Sequence, residues 1–365
     1  MLKRNNGLRP CIFAVNDTYQ ILIPVRQSSL MWIRVGEECY YDESNGILRS
    51  QNVVHKIIVP MKELDQAGCY TICERVMIER KPYFSETEEV QEYEYSFYPV
   101  KAQNARAYHI ADAHSMTEEP IRAAEAYGDF DFLILNGDVP NDSGAIENFD
   151  VIYEIVYRLT KGEKPTVFSR GNHDLRGIHA ERLVDYTPND NGKSYYTFRL
   201  GSIWGIVLDC AEDKEDGHPE YGHTVCCHAF RKKQTKFIRD VICNAENEYM
   251  QDGVKTRLVI VHNPFTQKYQ EPFNIEEALY KEWAELLKTD IQPDAMLCGH
   301  IHQLYVSVPG DAHDGLGHPC PVIVGSKVDW ASRYFAGCGL EFQDNRIEGV
   351  FTNSNGAAEG RFQLT

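Results

Sequence analysis

No stretch of the chain approaches the ~18 consecutive apolar residues that a membrane-spanning helix requires. The N-terminus also lacks the apolar run of a secretory signal: basic Lys3 and Arg4 are followed by Asn16 and Asp17 before such a run develops. The expectation is a soluble, cytoplasmic protein with no membrane partner. Cysteine is present but not organised. The eleven residues are an odd number, their closest pairs being Cys69 with Cys73 and the adjacent Cys226 and Cys227, so no disulfide framework follows and reduced thiols are expected. Positive charge is scarce. Lys and Arg number 37 against 54 Asp and Glu, a formal net charge of −17. A surface of that sign repels nucleic-acid backbones and anionic lipids unless cations are concentrated locally, so no nucleic-acid partner is expected. Fixed-period repeats and low-complexity tracts are missing too. With 43% hydrophobic and 25% charged residues the composition is that of a folding globular chain.

The 365 residues are long enough for two domains. Residues 1–100 hold short runs rich in Val, Ile and Tyr at 20–25, 30–35, 39–41, 53–59, 69–78 and 92–100. Asp, Asn, Gly and Pro separate them, and no convincing helical period intervenes. Tyr93, Tyr95 and Phe97 alternate with Glu94 and Ser96, as in a half-buried strand. This region is expected to be a small all-β sandwich. From about 101 to 365 the grammar changes to apolar strand, polar or Gly-rich loop, then helix. Strands are expected at 107–111, 132–135, 166–169, 203–208, 257–261, 295–298 and 322–324. Helices are expected at 146–159, ended by Gly162, and at 275–287, with Asn274 as the cap. That alternation predicts a layered α/β domain whose ligands gather at strand ends.

Five short clusters each follow one of these strands and are rich in metal-ligating residues. They are Asp112-Ala113-His114, Gly137-Asp138-Val139-Pro140-Asn141-Asp142, Gly171-Asn172-His173-Asp174, His262-Asn263-Pro264 and Gly299-His300-Ile301-His302. One such cluster is weak evidence, since Asp-x-His or His-x-His is common in solvated loops; five in order form a constellation. Imidazole mixed with carboxylate suits borderline divalent ions, Mn, Fe, Co or Zn, whereas an all-oxygen site suggests Mg or Ca. Two such ions ~3.5–4 Å apart clamp the attacking and leaving oxygens of a phosphoryl displacement and generate hydroxide near neutral pH. They also supply the positive charge that the rest of the protein lacks.

These five clusters, in this order, resemble the calcineurin-like metallophosphoesterase superfamily, over about residues 105 to 330. The resemblance implies a four-layer α/β/β/α sandwich and, residue by residue, Asp112, His114 and His302 on one metal and Asn172, His262 and His300 on the other, with Asp138 bridging. A metal-bridging hydroxide would then attack phosphorus. His173 would stand off the metals, near the leaving group, as general acid or as the residue that orients substrate and hydroxide. The implied reaction is hydrolysis of small phosphate esters, mono- or diester, with nucleotides as an example. The purple acid phosphatases of this superfamily also carry a fibronectin-like sandwich before the catalytic domain, as residues 1–100 do here. They place a Tyr three residues after the bridging Asp, where this chain has Asn141, and Gly where His114 stands. A ferric tyrosinate is therefore not expected, and the protein should be colourless or pale. The residues after Asp138 do not match the protein Ser/Thr phosphatase motif either.

Other residues carry paired readings. Arg170, before Gly171, is either a phosphate contact as in some relatives or a loop Arg in an ion pair, and Arg176 is a weaker candidate of the same kind. Asn141 or Asp142 would hold the tautomer of His173. Residues 209–228 read as a loop that walls the substrate pocket, with Tyr221 and His223 facing the substrate. His109 reads as packed core, and His313 and His318 as rim residues. The rival of a different class is a non-catalytic scaffold or binding protein on the same fold. Members of that kind usually lack one or more ligands, whereas all eight motif residues are present here.

Overall fold

Neighbouring side chains along the apolar strands point into different cores, and that alternation builds the layers. In Phe132–Asn136, Phe132 and Ile134 enter a central core while Leu133 and Leu135 enter an outer one. In Ile203–Val207, Ile203 and Val207 enter the same central core, whereas Trp204 and Ile206 enter a third. Two sheets therefore share an inner core and each is covered outside by helices. The chain, seen here in a computed structural model that describes residues 7–343 and 346–364, is an α/β/β/α sandwich. Helices Glu118–Tyr127 and Asp150–Thr160 cover one sheet, and Cys227–Cys243 and Glu277–Leu286 cover the other.

The larger sheet has ten strands. Its order is Ala358–Leu364, Arg346–Asn353, Tyr334–Gln343, Ala105–Ile110, Phe132–Asn136, Thr166–Ser169, Cys11–Val15, Thr18–Pro24 and Val54–Pro60, with Lys327–Asp329 beside Tyr334–Gln343. The second sheet runs Tyr196–Leu200, Ile203–Val207, Thr256–Ile260, Ala295–Cys298, Val322–Gly325 and Leu304–Ser307. Ala105–Ile110, Phe132–Asn136 and Thr166–Ser169 are mutually parallel in the first sheet, and Thr256–Ile260 and Ala295–Cys298 are parallel in the second. Their C-terminal ends carry the five clusters.

The N-terminal region is an antiparallel β unit. Its own sheet consists of Gln91–Ser96, Cys69–Glu79, Ser29–Val35 and Glu38–Tyr41, with Glu86–Thr87 off the path. Ser29–Val35 is buried at every second residue, and Met31, Ile33 and Val35 enter the central core. The facing layer is lent by the large sheet. Cys11–Val15 runs parallel to Thr166–Ser169, with Phe13 opposite Thr166, and Thr18–Pro24 and Val54–Pro60 continue outward antiparallel. One core thus passes from the N-terminal unit into the space between the two main sheets.

Three local expectations are corrected. A helix, Met61–Ala67, does interrupt the N-terminal strands; it is two turns long, too short to show a period, and Gly68 ends it in the left-handed conformation. Asn274 is not a cap: the helix begins at Glu277, and Glu276 before it ion-pairs with Arg231 and hydrogen-bonds the His228 ring. Residues 209–228 are not wholly loop, since helix Cys227–Cys243 takes up their end. Among the described residues no helix is long and apolar enough to cross a membrane.

Candidate metal centre

Each ligand candidate leaves a strand end through a sharp turn. Asp112, His114, Asp138, His300 and His302 all have positive φ, between 42° and 69°, a region that non-glycine residues visit at a cost and that concentrates at functional sites. The glycines of the motifs allow the turns to pack together. A Cβ on Gly137, whose φ is +78°, would lie 2.6 Å from the His262 ring, and one on Gly171 would lie 2.2 Å from Asp138 Oδ1. The backbone is therefore pressed directly against the candidate ligands.

The side chains converge in overlapping groups. Potential ligand atoms of Asp112, His114 and His302 lie within 4.8 Å of one another, as do those of Asp138, His262 and His300, and those of His114, Asp138 and His173. His302 Nε2 is 3.4 Å from Asp112 Oδ1 and 3.2 Å from His114 Nε2. Asn172 Oδ1 is 3.1 Å from His300 Nδ1. His262 Nε2 is 3.1 Å from Asp138 Oδ2 and 3.6 Å from Asp112 Oδ1, so the two groups touch at the carboxylates. Supporting contacts orient the ligands. His262 Nδ1 donates to Asn136 O at 2.7 Å. Asp112 accepts from His300 N and from the Ser326 hydroxyl, and Asp138 Oδ1 accepts from His173 N at 2.8 Å.

The donor set fits cations. Burial pushes the Asp112 carboxyl up, but His262 and His302 outweigh it and hold it at about 2. Asp138, also buried, is held below the usual carboxylate range by His262, His173 and His114. Burial lowers His114 and His300 to about 4, which leaves both imidazoles neutral at pH 7, the ligating form. His262 behaves oppositely: burial lowers it, but Asp138 and Asp112 carry it to about 10. The two carboxylates therefore demand positive charge at that spot. His114 Nδ1 is buried without a hydrogen-bond partner among the described residues, and such a polar atom is expensive unless something ligates it.

His173 lies at the edge of the cluster. Its Nδ1 donates to the backbone carbonyl of Asn141 at 2.8 Å, so Asn141 orients it through the main chain, while the Asp142 carboxylate accepts from Gly144 N and Asn148 Nδ2. Its Nε2 faces Arg176 Nη1 at 3.1 Å, and Arg176 is clamped by both oxygens of Glu212 at 3.2 and 3.0 Å. Arg170 takes the ion-pair arrangement: Nε is 2.6 Å from buried Asp209 Oδ2, and the guanidinium lies over Phe230 at 5.2 Å. Asp174, buried beside Asp138, is pushed up to about 7 while accepting from Gly171 N and Asp138 N.

The 209–228 segment does border the cluster, through Asp213, whose Oδ2 is 3.9 Å from His300 Nε2. Tyr221 is buried with its hydroxyl on Asp213, so it braces this wall, while His223 is exposed. His109 is buried core, accepting from Asn136 Nδ2. His318 is enclosed by the Thr266 and Ser307 hydroxyls, and His313 stacks on Tyr305 at 4.5 Å, so the expected rim places are taken up by local packing. Trp330, Glu212, Asp213 and Ser326 were not singled out by sequence reasoning. Each reaches the site from a distant segment and leaves no local spacing to read.

Residues 105–304 match the calcineurin-like phosphoesterase family. No curated protein matches the chain. Among solved structures, a purple acid phosphatase from yellow lupin (Lupinus luteus) seeds is similar over 98% of this chain and 74% of that one, with TM-score 0.64 and 12% identity. At that identity the likeness is one of fold, the N-terminal β unit included. Vacuolar Protein Sorting 29 from Cryptosporidium parvum covers 72% of this chain and 99% of its own at 11% identity, with a TM-score of only 0.36.

Proposed function

The chain belongs to the calcineurin-like phosphoesterase family, and on that premise we propose that it is a binuclear metal-dependent hydrolase of small phosphate esters. The observation that carries this reading is the pair of ligand groups meeting at Asp112 and Asp138, with His262 Nε2 aimed between the two carboxylates. Asp112, His114 and His302 would hold one divalent transition-metal ion, Mn, Fe, Zn or Co, and Asn172, His262 and His300 the other, with Asp138 shared. Ions so held supply Lewis acidity toward the phosphoryl oxygens and lower the pKa of water toward ~7.

The remaining work falls to the chain. Neutral His114 and His300 ligate without first losing a proton. The His173 ring is fixed by Asn141, which leaves Nε2 as the nitrogen presented to the site; accepting from Arg176 in the neutral form, it orients the ester, or, once it has taken up a proton from solvent, passes that proton to the leaving oxygen. Arg176 brings a cation to the same side, where negative charge develops as the ester bond breaks. The net charge of −17 disfavours long polyanions and supports small esters over nucleic acid. The eleven free thiols support the reducing cytoplasm as the compartment.

The test is turnover of an aryl phosphate monoester beside its diester, on protein loaded with Mn, Fe, Zn or Co and on a chelated control. Metal-dependent turnover is the expected result, and the rate ratio separates phosphatase from phosphodiesterase. Two bound ions with no turnover of either ester would favour the scaffold reading.

A further inference from the structure

Trp330 is a large aromatic side chain left 51% exposed beside the candidate metal centre. It opens the four-residue turn between Lys327–Asp329 and Tyr334–Gln343, which pair antiparallel with Asp329 opposite Tyr334. Its indole stands edge-on to two of the site histidines at once: ring centroids are 5.2 Å from His114 and 5.3 Å from His302, at interplanar angles of 69° and 76°. His114 is flanked on its other contact by His173, at 4.6 Å. His114 is thus shared by the indole, by His302 at 5.1 Å and by His173, which puts Trp330 one ring away from His173.

The turn is held in place rather than left free. Asp329 accepts from Ala331 N at 2.9 Å and from the Ser332 hydroxyl at 2.8 Å. Arg333 reaches across to the buried carboxylate of Glu119 with two hydrogen bonds, at 2.7 and 3.0 Å. A half-exposed indole on a braced turn loses little freedom when a planar ligand covers it, which is the condition under which stacking adds most to binding.

We infer that Trp330 is a stacking platform for the alcohol portion of the substrate, and that the site selects phosphate esters whose alcohol carries a planar aromatic ring, nucleoside or aryl, over purely aliphatic ones. This rests on the phosphoesterase reading above, and on His173 marking the leaving-group side. Base-on-aromatic stacking is worth about tenfold or more in affinity by truncation of the aromatic side chain.

The experiment compares binding of phenylphosphonate and methylphosphonate, neither of which is hydrolysed, to metal-loaded protein by calorimetry and by tryptophan fluorescence. Trp204 and Trp283 are buried and Trp32 is half-buried on the N-terminal sheet, so the signal assigned to the exposed indole is the quenching that wild type shows and Trp330→Leu lacks. The wild type is expected to bind phenylphosphonate about tenfold tighter than methylphosphonate, with quenching. Trp330→Leu should bring that ratio toward one and abolish the quenching, and Trp330→Phe should keep part of the preference. Equal affinities in the wild type, or a preference that survives Trp330→Leu, would overturn the platform while leaving the phosphoesterase reading intact. Binding of neither phosphonate, together with no turnover of any ester, would overturn both. Thermal melts of the two variants exclude misfolding as the cause.

Discussion

Arg176 Nη1 sits 3.1 Å from His173 Nε2, three residues away in the chain and across one turn of 3₁₀ helix. The guanidinium is not free to wander, because Glu212, almost wholly buried, grips it with both oxygens. The imidazole is fixed on its other side by Asn141 O. The outcome is a ring whose orientation is set twice, with a permanent cation at Nε2. Arg176→Ala should lower kcat by about tenfold with little change in KM, from the loss of one charge-assisted hydrogen bond. Arg176→Lys should recover part of it, and metal content should stay at the wild-type level in both. Steady-state kinetics with elemental analysis of the same samples checks this, and a loss confined to KM would refute the positioning role.

His173→Ala removes the ring itself. The expected loss is about a hundredfold for esters of poorly leaving alcohols and much less for activated aryl esters, since a group that assists departure matters least when departure is easy. Equal losses across a series of leaving groups would make His173 a positioning residue only.

Asp138→Asn replaces the carboxylate shared by the two ligand groups with a neutral amide. Metal affinity is expected to fall by more than about a hundredfold, and turnover with it, since ligand changes exceed the 10–100-fold typical of supporting partners. Calorimetric titration with Mn or Zn provides the measurement. Unchanged metal content and unchanged activity would refute the site.

Gly171→Ala tests the close approach of backbone and ligand. The added methyl would fall 2.2 Å from Asp138 Oδ1 and 2.5 Å from Asp138 N, and neither can retreat without moving the carboxylate. The variant should fold but lose metal affinity nearly as severely as Asp138→Asn. A crystal structure showing Asp138 undisturbed would contradict this.

The candidate ligands were legible in the sequence because their chemistry is confined to two or three residues at the ends of strands, so that spacing alone exposes Asp112 with His114 or His300 with His302. The helical cover was legible where one apolar face persists, as in Asp150–Thr160, and illegible where the helix is only two turns long, as in Met61–Ala67. The latch of Arg176 on Glu212 joins residues 36 apart, and Trp330 reaches His114 from the far end of the fold. Contacts of that kind depend on which loops meet in space and leave no periodic trace. Arg170 illustrates the converse, since its place before Gly171 left a phosphate contact and an ion pair equally open while its side chain pairs with Asp209 and lies over Phe230.

The pairing of Phe13 with Thr166 has a consequence for how this chain can be divided. With Cys11–Val15 in place, the Thr166–Ser169 strand has a neighbour on both sides. A chain cut near residue 100 would bare the backbone donors and acceptors of Thr166–Ser169 along one side and uncover the apolar surface that Phe13 and Ile12 now occupy. An open edge next to an apolar face invites pairing with another molecule, so the excised hydrolase region would tend to aggregate rather than stand alone. Any exchange of the N-terminal β unit must therefore bring its own replacement for the strand at Cys11–Val15.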